Sequence, residues 1–392
     1  MGESTAASGT VHWVGTGLST GSGLALLCEQ AERLVLWGRT DEQAAGTLDR
    51  LGLTGRAEAR ALTDDALADA MRPGDVLVSM LPATEHLALL RSAIDSGAHF
   101  ACSSYLTPEI AQAATAAGAA DLVVLTEVGL DPGIDHLMAH SLVQQAIAAT
   151  GPAPGSAAFV SYCGGLPAVP NEFRYRFSWA PRGVLNALRS PARYVAEGIE
   201  QTAERPWEAT REFVLDDETF EVYPNRDSMP YVAKYAFPAA WTVERFVRGT
   251  LRLAGWRAAW SAVFEQLTTG DEAQISALAA DLATRYPTTP EDRDRVVLVV
   301  GLRLTGDDGV DWGGEYVLDL VGNDVESAMA RTVSVPLAIG VGEVLDGRAR
   351  PGLHQAATDD AVDRWLGRLR DLGIDCQFRA LQPAAEREGT GR

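Results

Sequence analysis

The chain of 392 residues contains a single lysine, Lys234. The other 32 of its 33 Lys and Arg residues are arginines. A mechanism based on a Schiff base or a lysine general base would therefore depend on this single side chain. Cysteine is also sparse: the four cysteines are scattered and form no CxxC pair. This pattern is typical of proteins from a reducing compartment, and we expect the cytoplasm.

Long apolar runs and a surplus of positive charge are missing as well. No apolar run approaches the roughly 20 residues that span a bilayer. The first residues, MGESTAASGT, lack the basic and apolar regions of a secretory signal and are expected to form a short disordered leader. The net charge of −20 argues against nucleic acid or an anionic membrane as a partner. An anionic substrate would have to be bound by locally concentrated arginines.

A glycine-rich turn lies near the start of the chain, in VHWVGTGLSTGSGLALLCEQ. A short apolar run precedes it and a helix-like stretch follows it. Such a turn allows backbone N–H groups to approach a pyrophosphate at a helix N-terminus, although the spacing GxGxxxG is a weak signal by itself. The predicted cofactor contacts in this turn are Gly15, Thr16, Gly17, Leu18 and Ser19.

The segment LVLWGRT, residues 34–40, is predicted to be the second strand, and it ends about 20 residues after the glycines. An NAD enzyme would place Asp or Glu here to bind the ribose 2′-hydroxyl. This chain has Arg39 and Thr40 instead, with Asp41 one position further on. An arginine beside a hydroxyl suits a 2′-phosphate, so we predict NADP(H) as the cofactor.

Strands and helices then alternate with short loops up to about residue 130. DVLVSML, HFACSSY and DLVVLTEVG have the composition of buried strands, with helical patterns between them. This order predicts an α/β fold with a parallel, doubly wound, Rossmann-like sheet, whose ligands bind at the carboxyl ends of the strands. The residues that this places at the cofactor are Ser79, Leu81, Pro82 and Gly129.

The second half of the chain has a different, α+β pattern that predicts antiparallel strands. SAAFVSYCGGLPA is predicted to be a strand followed by a tight Gly-Gly turn, and DRVVLVVGLRLTG with DWGGEYVLDLVG a pair of long strands. Residues 242–282 are predicted to be helical. The last segments, SAMARTVSVPLAIGVGEVLDG and DDAVDRWLGRLRDLG, are predicted to be helices that return to the nucleotide-binding domain.

Seven motifs occur in a recognisable order along the chain: SSYLTPE, EVGLDPGIDHLMA, SYCGGLPA, FSWAPRGVL, YPNRDS, VRGTLR and SAMARTVSVPLAIGVGEVLDG. Together they resemble the saccharopine dehydrogenase family, most closely its NADP-dependent, L-glutamate-forming members, the saccharopine reductases. The resemblance extends from about Val11 to about Phe378. It departs from the family pattern after CGGLPA and at Arg176, which stands where the family has lysine, and both departures fall on the substrate side.

The resemblance implies a nucleotide domain, a substrate and dimerisation domain, and a small helical insertion. We place the nucleotide domain at residues 1–131, completed by about 328–392. The α+β substrate domain would comprise 132–240 and 290–327, and the insertion 241–289. The activity implied is reversible, NADPH-dependent condensation of 2-aminoadipate 6-semialdehyde with glutamate to saccharopine. The implied partners are these small amino acids and a second copy of the chain.

Asp131 and Tyr105 are the predicted catalytic residues. An ionised Asp131 could hold the secondary ammonium of the product, or it could cap the helix that begins at Pro132–Gly133, and both roles can coexist. Imine formation and loss of water need proton transfers in which a carboxylate or phenol can assist. The predicted substrate contacts are Ser104, Tyr105, Asp131, Cys163, Arg176, Asn225 and Arg226.

Arginine binds a carboxylate through two parallel hydrogen bonds, which makes Arg226 in the polar loop PNRDS the first choice for a substrate carboxylate. Arg182 is expected to form a surface salt bridge instead. His136 and His140, one helical turn apart, have the spacing of metal ligands, but the segment lacks the glutamate and the third ligand of such sites. We therefore expect scaffold roles for both histidines and no metal.

Two other functions remain open from the sequence. One keeps the chemistry but changes the amine and aldehyde, as in carboxynorspermidine-forming relatives or in specialised metabolism. The other is a catalytically silent NADP-binding protein that reports redox state to a partner.

Overall fold

The computed structural model describes residues 5–151, 153–289, 291–306, 311–358 and 360–382. The expected leader lies partly outside this range, because its first four residues are not described. The chain divides into two compact units. The first contains residues 1–136 and 322–357, and the second contains 137–321 and 358–392.

The elements are numbered in chain order. The strands are β1 (Thr10–Val14), β2 (Arg33–Gly38), β3 (Glu58–Ala61), β4 (Val76–Ser79), β5 (His99–Cys102), β6 (Val123–Leu125), β7 (Gly155–Pro167), β8 (Ala192–Ala196), β9 (Ile199–Ala203), β10 (Arg211–Leu215), β11 (Glu218–Pro224), β12 (Trp241–Leu253), β13 (Asp294–Gly306), β14 (Asp311–Val321), β15 (Gly352–His354) and β16 (Gln377–Ala380). The helices are α1 (Gly23–Gln30), α2 (Asp41–Arg50), α3 (Asp64–Ala70), α4 (His86–Asp95), α5 (Pro108–Ala119), α6 (Ile134–Thr150), α7 (Pro181–Arg189), α8 (Met229–Lys234), α9 (Trp256–Ala259), α10 (Ser261–Thr269), α11 (Glu272–Arg285), α12 (Ala328–Leu345) and α13 (Ala361–Asp371). Two short 3₁₀ helices cover Ala83–Glu85 and Pro206–Ala209.

The sheet of the first unit has seven strands in the order β15-β6-β5-β4-β1-β2-β3, and every pair is parallel. Its central strands are apolar along their length because helices cover both faces of a parallel sheet. The order turns back at β1 and β4, as in dinucleotide-binding sheets. The predicted doubly wound fold is confirmed.

Helix α12 contributes to the core of the first unit, and most of its residues are buried. It is the one helix among the described residues that is long and apolar enough to cross a membrane, and 78% of that apolar window is buried inside the structure. Such burial is typical of a core helix.

The sheet of the second unit is mixed, which corrects the prediction of an antiparallel pattern. Its main order is β10-β11-β12-β7-β13-β14-β16, and β7 pairs with β12 in the parallel direction. The predicted Gly-Gly turn is also wrong, since β7 continues through Gly164 and Gly165 to Pro167. A Cβ on Gly164 would overlap the carbonyl oxygen of Leu251, so this glycine permits the close approach of β12.

The predicted helical insertion at 241–289 is wrong in its first quarter, which forms strand β12. Both faces of this strand are largely covered, so the alternation of apolar and polar residues that marks a strand is lost from its sequence. The helices α9, α10 and α11 do follow, and their aromatic core includes Trp256, Trp260 and Phe264.

The C-terminal assignment is corrected as well. Residues 322–357, with α12 and β15, complete the first unit, whereas residues 358–392 belong to the second. Helix α13 therefore does not return to the nucleotide-binding unit. The reason is the pairing of β16 with β14 in the antiparallel direction, which holds the last described strand at the edge of the second sheet.

Candidate active site

The glycine-rich turn connects β1 to α1 in a shape that matches a pyrophosphate. Gly15 has a φ of +121°, and a Cβ added there would lie 3.1 Å from the backbone of Met80. Thr20 holds the turn by donating its hydroxyl to the Gly15 carbonyl oxygen at 3.1 Å. Within the described part of the chain, the N–H groups of the next four residues have no hydrogen-bond partner; these are Thr16, Gly17, Leu18 and Ser19. Successive unpaired amides at the carboxyl end of β1 fit the phosphates of a dinucleotide.

The later glycines of this segment serve packing. A Cβ on Gly21 or Gly23 would overlap atoms of the segment that carries α12, the Glu326 carboxylate and the Ser334 carbonyl oxygen respectively. Glu326 accepts a hydrogen bond from the Ser22 N–H at 2.7 Å, at the N-terminus of α1. The N-terminal end of α1 is thus held by protein groups, and the loop before it is left for the cofactor.

The residues after β2 lie at the strand end where a Rossmann-like sheet binds the adenosine ribose. Arg39 is exposed, and its Nε donates to Gln43 Oε1 at 3.3 Å. The Thr40 hydroxyl accepts from the Gln43 N–H and caps α2. Asp41, the carboxylate next to this strand end, accepts a hydrogen bond from the Ala61 N–H at 2.6 Å. Because that carboxylate is engaged, the group offered to a ribose substituent is the Arg39 guanidinium, which favours a 2′-phosphate.

A buried histidine joins the ends of β4 and β5. His86 Nδ1 lies 2.8 Å from the Ser79 hydroxyl, and His86 Nε2 lies 2.8 Å from the Ser104 hydroxyl. Burial lowers the pKa of His86 to about 4, so the imidazole is neutral at physiological pH. Ser79, predicted to contact the cofactor, has a fully buried side chain. Leu81 and Pro82 follow it, the first packed against the core of the sheet and the second exposed.

Tyr105 and Asp131, the two predicted catalytic residues, are in direct contact. The Tyr105 hydroxyl donates to Asp131 Oδ1 at 2.6 Å. Tyr105 follows β5, and Asp131 lies in the loop between β6 and α6. A phenol that donates to a carboxylate gives the pair both an exchangeable proton and a negative charge.

The loop that carries Asp131 is tightly closed. Its Asp131–Pro132 peptide bond is cis, and the Gly129 N–H donates to the Pro132 carbonyl oxygen at 2.9 Å. Gly133 has a φ of +146°, and a Cβ there would overlap the backbone of Gly129. Helix α6 begins at Ile134, slightly later than predicted, and its first turn is fixed by the Gly133 N–H donating to Asp135 Oδ1 at 2.7 Å.

Glu127 clamps the segment that contains Tyr105. Its N–H donates to the Ser104 carbonyl oxygen at 3.0 Å, and its Oε1 accepts from the Leu106 N–H at 3.0 Å. The carboxylate is 1% exposed, and its Oε2 lies 3.1 Å from His136 Nε2. The backbone on both sides of Tyr105 is thus held by one buried glutamate, which sequence reasoning missed.

The histidines of this region take separate positions. His136 lies between the carboxylates of Glu127 and Asp135, and His140 packs edge-on against Tyr235 with ring centroids 5.6 Å apart. Among the described residues, no group of three or more His, Cys, Asp or Glu side chains is placed to hold a metal. His136 thus contacts two carboxylates, and His140 contacts an aromatic ring.

In the second unit, Cys163 and Asn225 lie close to the same part of β12. Thr250 pairs with Cys163 on one side and with Tyr223 on the other. The Asn225 N–H donates to the Arg248 carbonyl oxygen at 2.9 Å. Two strand spacings separate Cys163 from the end of β11, about 10 Å.

Arg226 has a left-handed backbone conformation, with a φ of +58°. Its carbonyl oxygen accepts from the Arg193 N–H at 3.0 Å, and its side chain is exposed. Non-glycine residues rarely adopt this conformation, and such residues cluster at functional sites. The structure thus places an exposed arginine in a fixed loop beside Asn225.

Arg176 and Arg182 are engaged in ion pairs. Arg176 contacts Asp292 at 2.9 Å and donates to the Pro287 carbonyl oxygen. This arrangement favours a stabilising role over the predicted substrate contact. Arg182 pairs with Glu272 at 3.3 Å on the surface, as predicted.

Two buried arginines of β12 were also missed. Arg248 is 3% exposed, and its guanidinium lies 3.9 Å from the centroid of the Tyr231 ring. Arg252 is 5% exposed and lies 4.8 Å from the centroid of the Tyr175 ring. Residues two apart in a strand share a face, so both arginines lie on the face of the sheet that carries Cys163. The sequence motif VRGTLR contains both arginines, and it was the signal from which they could have been predicted.

Comparisons with known proteins give a consistent result. Residues 11–125 match the saccharopine dehydrogenase NADP binding domain, and residues 129–374 match the saccharopine dehydrogenase C-terminal domain. The first match agrees with the prediction of an NADP(H) site. The chain is 40% identical over 202 residues to the saccharopine dehydrogenase [NADP(+), L-glutamate-forming] of Pyricularia oryzae, a match that covers 50% of this chain and 44% of that protein. It is 35% identical over 202 residues to the mitochondrial alpha-aminoadipic semialdehyde synthase of Rattus norvegicus, covering 49% of this chain and 21% of that protein.

The matches to these curated relatives thus span less than half of their length. Among solved structures, the apo saccharopine dehydrogenase (L-Glu forming) of Saccharomyces cerevisiae superposes with a TM-score of 0.79 at 26% identity, covering 95% of this chain and all of that one. A homospermidine synthase of Legionella pneumophila, solved in complex with NAD, superposes with a TM-score of 0.63 at 10% identity. It covers the whole of this chain and 95% of that one, and at this identity it shows a shared fold only.

Proposed function

The chain belongs to the saccharopine dehydrogenase family, and from this premise we propose that it catalyses the reversible, NADPH-dependent condensation of 2-aminoadipate 6-semialdehyde with L-glutamate to saccharopine. The observation that carries the proposal is the pair of Tyr105 and Asp131, joined at 2.6 Å. It lies in the same unit as a glycine-rich turn with unpaired amides, and at the carboxyl edge of the same parallel sheet. Ligands of such sheets bind at that edge.

The cofactor, when bound, supplies a hydride to the carbon of the protonated imine. The unpaired amides of the turn after β1 would hold its phosphates, and Arg39 would bind the 2′-phosphate. Asp131, ionised, stabilises the positive charge of the iminium nitrogen and of the secondary ammonium that replaces it. When the amine and aldehyde condense, the Tyr105–Asp131 pair can take up the proton that the attacking amine loses and return it to the hydroxyl that leaves as water. Holding the reactants in place supplies much of the rate enhancement.

The substrates proposed carry carboxylates, and the chain has a net charge of −20. Binding them therefore requires local positive charge. Arg226 is exposed at the end of β11, and Arg248 and Arg252 give the face of β12 that carries Cys163 a concentration of positive charge. Carboxylates of the substrate would bind at this face through paired N–H donors.

A second candidate is reductive condensation of a different amine and aldehyde. The observation that favours it is Arg176, which replaces the family's lysine and is engaged by Asp292. The substrate side thus departs from the family at a charged position. The silent NADP-binding protein is the third candidate, and turnover by any pair would exclude it.

The test follows NADPH absorbance with purified protein, glutamate and 2-aminoadipate 6-semialdehyde. Each reactant is then replaced in turn by other amines and aldehydes. We expect oxidation that requires both reactants and is fastest with the proposed pair. Faster turnover of another pair would establish the second candidate, and NADPH binding without oxidation by any pair would establish the third.

Replacing Arg39 with alanine is expected to raise the KM for NADPH by about tenfold to a hundredfold, because a charge-assisted contact to the 2′-phosphate is lost. The KM for NADH should stay unchanged. Arg33→Ala is the control, since Arg33 is a half-buried arginine at the opposite end of β2, paired with Glu58 at 2.7 Å. Steady-state kinetics with both cofactors measure the effect, and an intact preference in R39A would refute the 2′-phosphate contact.

Replacing Arg226 with alanine is expected to raise the KM of the amino-acid substrate by about tenfold or more, with NADPH binding unchanged. The loss of a bidentate contact to a carboxylate is the reason. Arg182→Ala serves as the control, because that arginine pairs with Glu272 on the surface. Equal substrate kinetics in the two variants would assign Arg226 to a structural role.

We also propose that the protein acts as a homodimer, as the family resemblance implies. Light scattering after size exclusion should give twice the chain mass of 41.8 kDa. A monomer mass at working concentrations would contradict this. Cys28, Cys102 and Cys376 are free thiols, which supports the proposal of a reducing, cytoplasmic compartment.

A further inference from the structure

The hydrogen-bonded chain of Ser79, His86 and Ser104 has no part in the chemistry proposed above. The imidazole of His86 lies between the two serine hydroxyls, 2.8 Å from each. His86 is 1% exposed and Ser79 is fully buried, whereas Ser104 is half-buried. This series of hydrogen bonds thus runs from the interior of the first unit towards the loop that contains Tyr105.

The protonation state of the ring limits what the two serines can do. Burial lowers the pKa of His86 to about 4, so at neutral pH one ring nitrogen carries a hydrogen and the other a lone pair. One serine must therefore donate to the ring, and the other must accept from it.

The burial of Ser79 decides between these two arrangements. Among the described residues, His86 Nδ1 is the sole hydrogen-bond partner of the Ser79 hydroxyl. If Nδ1 carried the hydrogen, the O–H of Ser79 would be buried without an acceptor, which is costly. If Ser79 donates to Nδ1, its O–H is satisfied, and the ring carries its hydrogen on Nε2.

The second bond of the ring then has a fixed direction. His86 Nε2–H donates to Ser104 Oγ, so the O–H of Ser104 is not used by the ring. Because Ser104 is half-buried, that O–H can reach a bound molecule. The Ser104 oxygen already accepts one hydrogen bond, and its hydrogen is unused. Such a hydroxyl acts as a donor, and its natural partner is a carboxylate.

We propose that His86 is a positioning residue, held as the Nε2–H tautomer by Ser79, which orients the Ser104 hydroxyl as a hydrogen-bond donor to a carboxylate of the amino-acid substrate. The identity of the ligand rests on the proposed function. The tautomer does not, and it can be measured without turnover.

The first experiment is ¹⁵N NMR of the full chain labelled at histidine, at neutral pH. The chain has six histidines, and His86→Gln identifies the signal of His86. His99 is an internal standard, because its Nδ1 accepts from the Val123 N–H and its Nε2 faces the Thr5 carbonyl oxygen. Those backbone groups allow the Nε2–H tautomer alone. We expect His86 to show the same tautomer, and a neutral Nδ1–H ring or a charged ring would overturn the proposal.

The second experiment compares two conservative variants. The amide of glutamine in His86→Gln reaches the position of Nε2 and can donate to Ser104, whereas the amide of asparagine in His86→Asn reaches the position of Nδ1 and contacts Ser79 alone. We expect the KM of the amino-acid substrate to rise about tenfold in H86N and to stay within about threefold of wild type in H86Q. A residue that served packing alone would affect both variants alike, and that result would refute positioning of Ser104.

His99→Gln is the matched control for stability, since His99 is also 1% exposed but lies at the start of β5. It should lower the melting temperature without a change in KM. If the wild-type protein does not turn over the proposed pair, the proposed function fails and the NMR result still decides the tautomer. If a His86 variant does not fold, the His86 signal is assigned by substituting the other five histidines, and the wild-type spectrum gives the answer.

Discussion

Replacing Asp131 with asparagine is expected to lower kcat by about 10²–10⁴-fold, the range found when one acid–base group is removed. Asparagine can still accept a hydrogen bond from Tyr105, so the loop geometry is retained. The negative charge that stabilises the iminium nitrogen is lost. Rapid kinetics of NADPH oxidation measure the effect, and NADPH binding followed by fluorescence should be unchanged.

Tyr105→Phe provides the internal control for this prediction. If the two residues act as one group, the double variant should lose little more activity than D131N alone. Fully additive losses would show that the two side chains act independently. A kcat for D131N within about threefold of wild type would remove Asp131 from the mechanism and leave it a structural role in the loop.

Gly133→Ala is expected to have the largest effect on stability of any single methyl added to the site. Gly133 has a φ of +146°, and the new Cβ would overlap the backbone of Gly129. The loop that places Asp131 would have to open, at a cost of about 3 kcal/mol or more. For a unit of this size such a cost lowers the melting temperature by about 6–12 °C.

Gly46→Ala is the matched control for this change. Gly46 lies inside α2, and a Cβ there meets no atom within 4 Å. Alanine in a helix interior should leave the melting temperature unchanged or raise it slightly. If G133A has the same melting temperature as G46A and keeps full turnover, the closed loop is not needed to place Asp131.

The first unit could be predicted from the sequence because its signals are local. All its parallel strands except β3 and β15 are short apolar runs between glycine-rich or polar loops, and such runs alternate with helical patterns. The rule that ligands bind at the carboxyl ends of strands then selected Tyr105 and Asp131 without knowledge of their contact. The structure places their oxygens 2.6 Å apart.

The residues that sequence reasoning missed are those whose partners are distant or whose pattern is masked. His86 begins an ordinary amphipathic helix, and its role depends on Ser79 and Ser104 meeting it in space. Strand β12 lost its alternation because both faces are covered. The last strand, β16, pairs with a strand more than 50 residues earlier in the chain, and no local signal reports such a pairing.

The central claim is that this chain transfers a hydride from NADPH to an imine formed from an amino acid and an aldehyde. The most direct measurement uses NADPH deuterated at the hydride position of the nicotinamide, with glutamate and 2-aminoadipate 6-semialdehyde. Mass spectrometry of the product should show saccharopine with one deuterium, on the carbon that came from the aldehyde, and D131N should form it far more slowly. Absence of deuterium in any condensation product, or its appearance in the reduced alcohol of the aldehyde alone, would contradict this account.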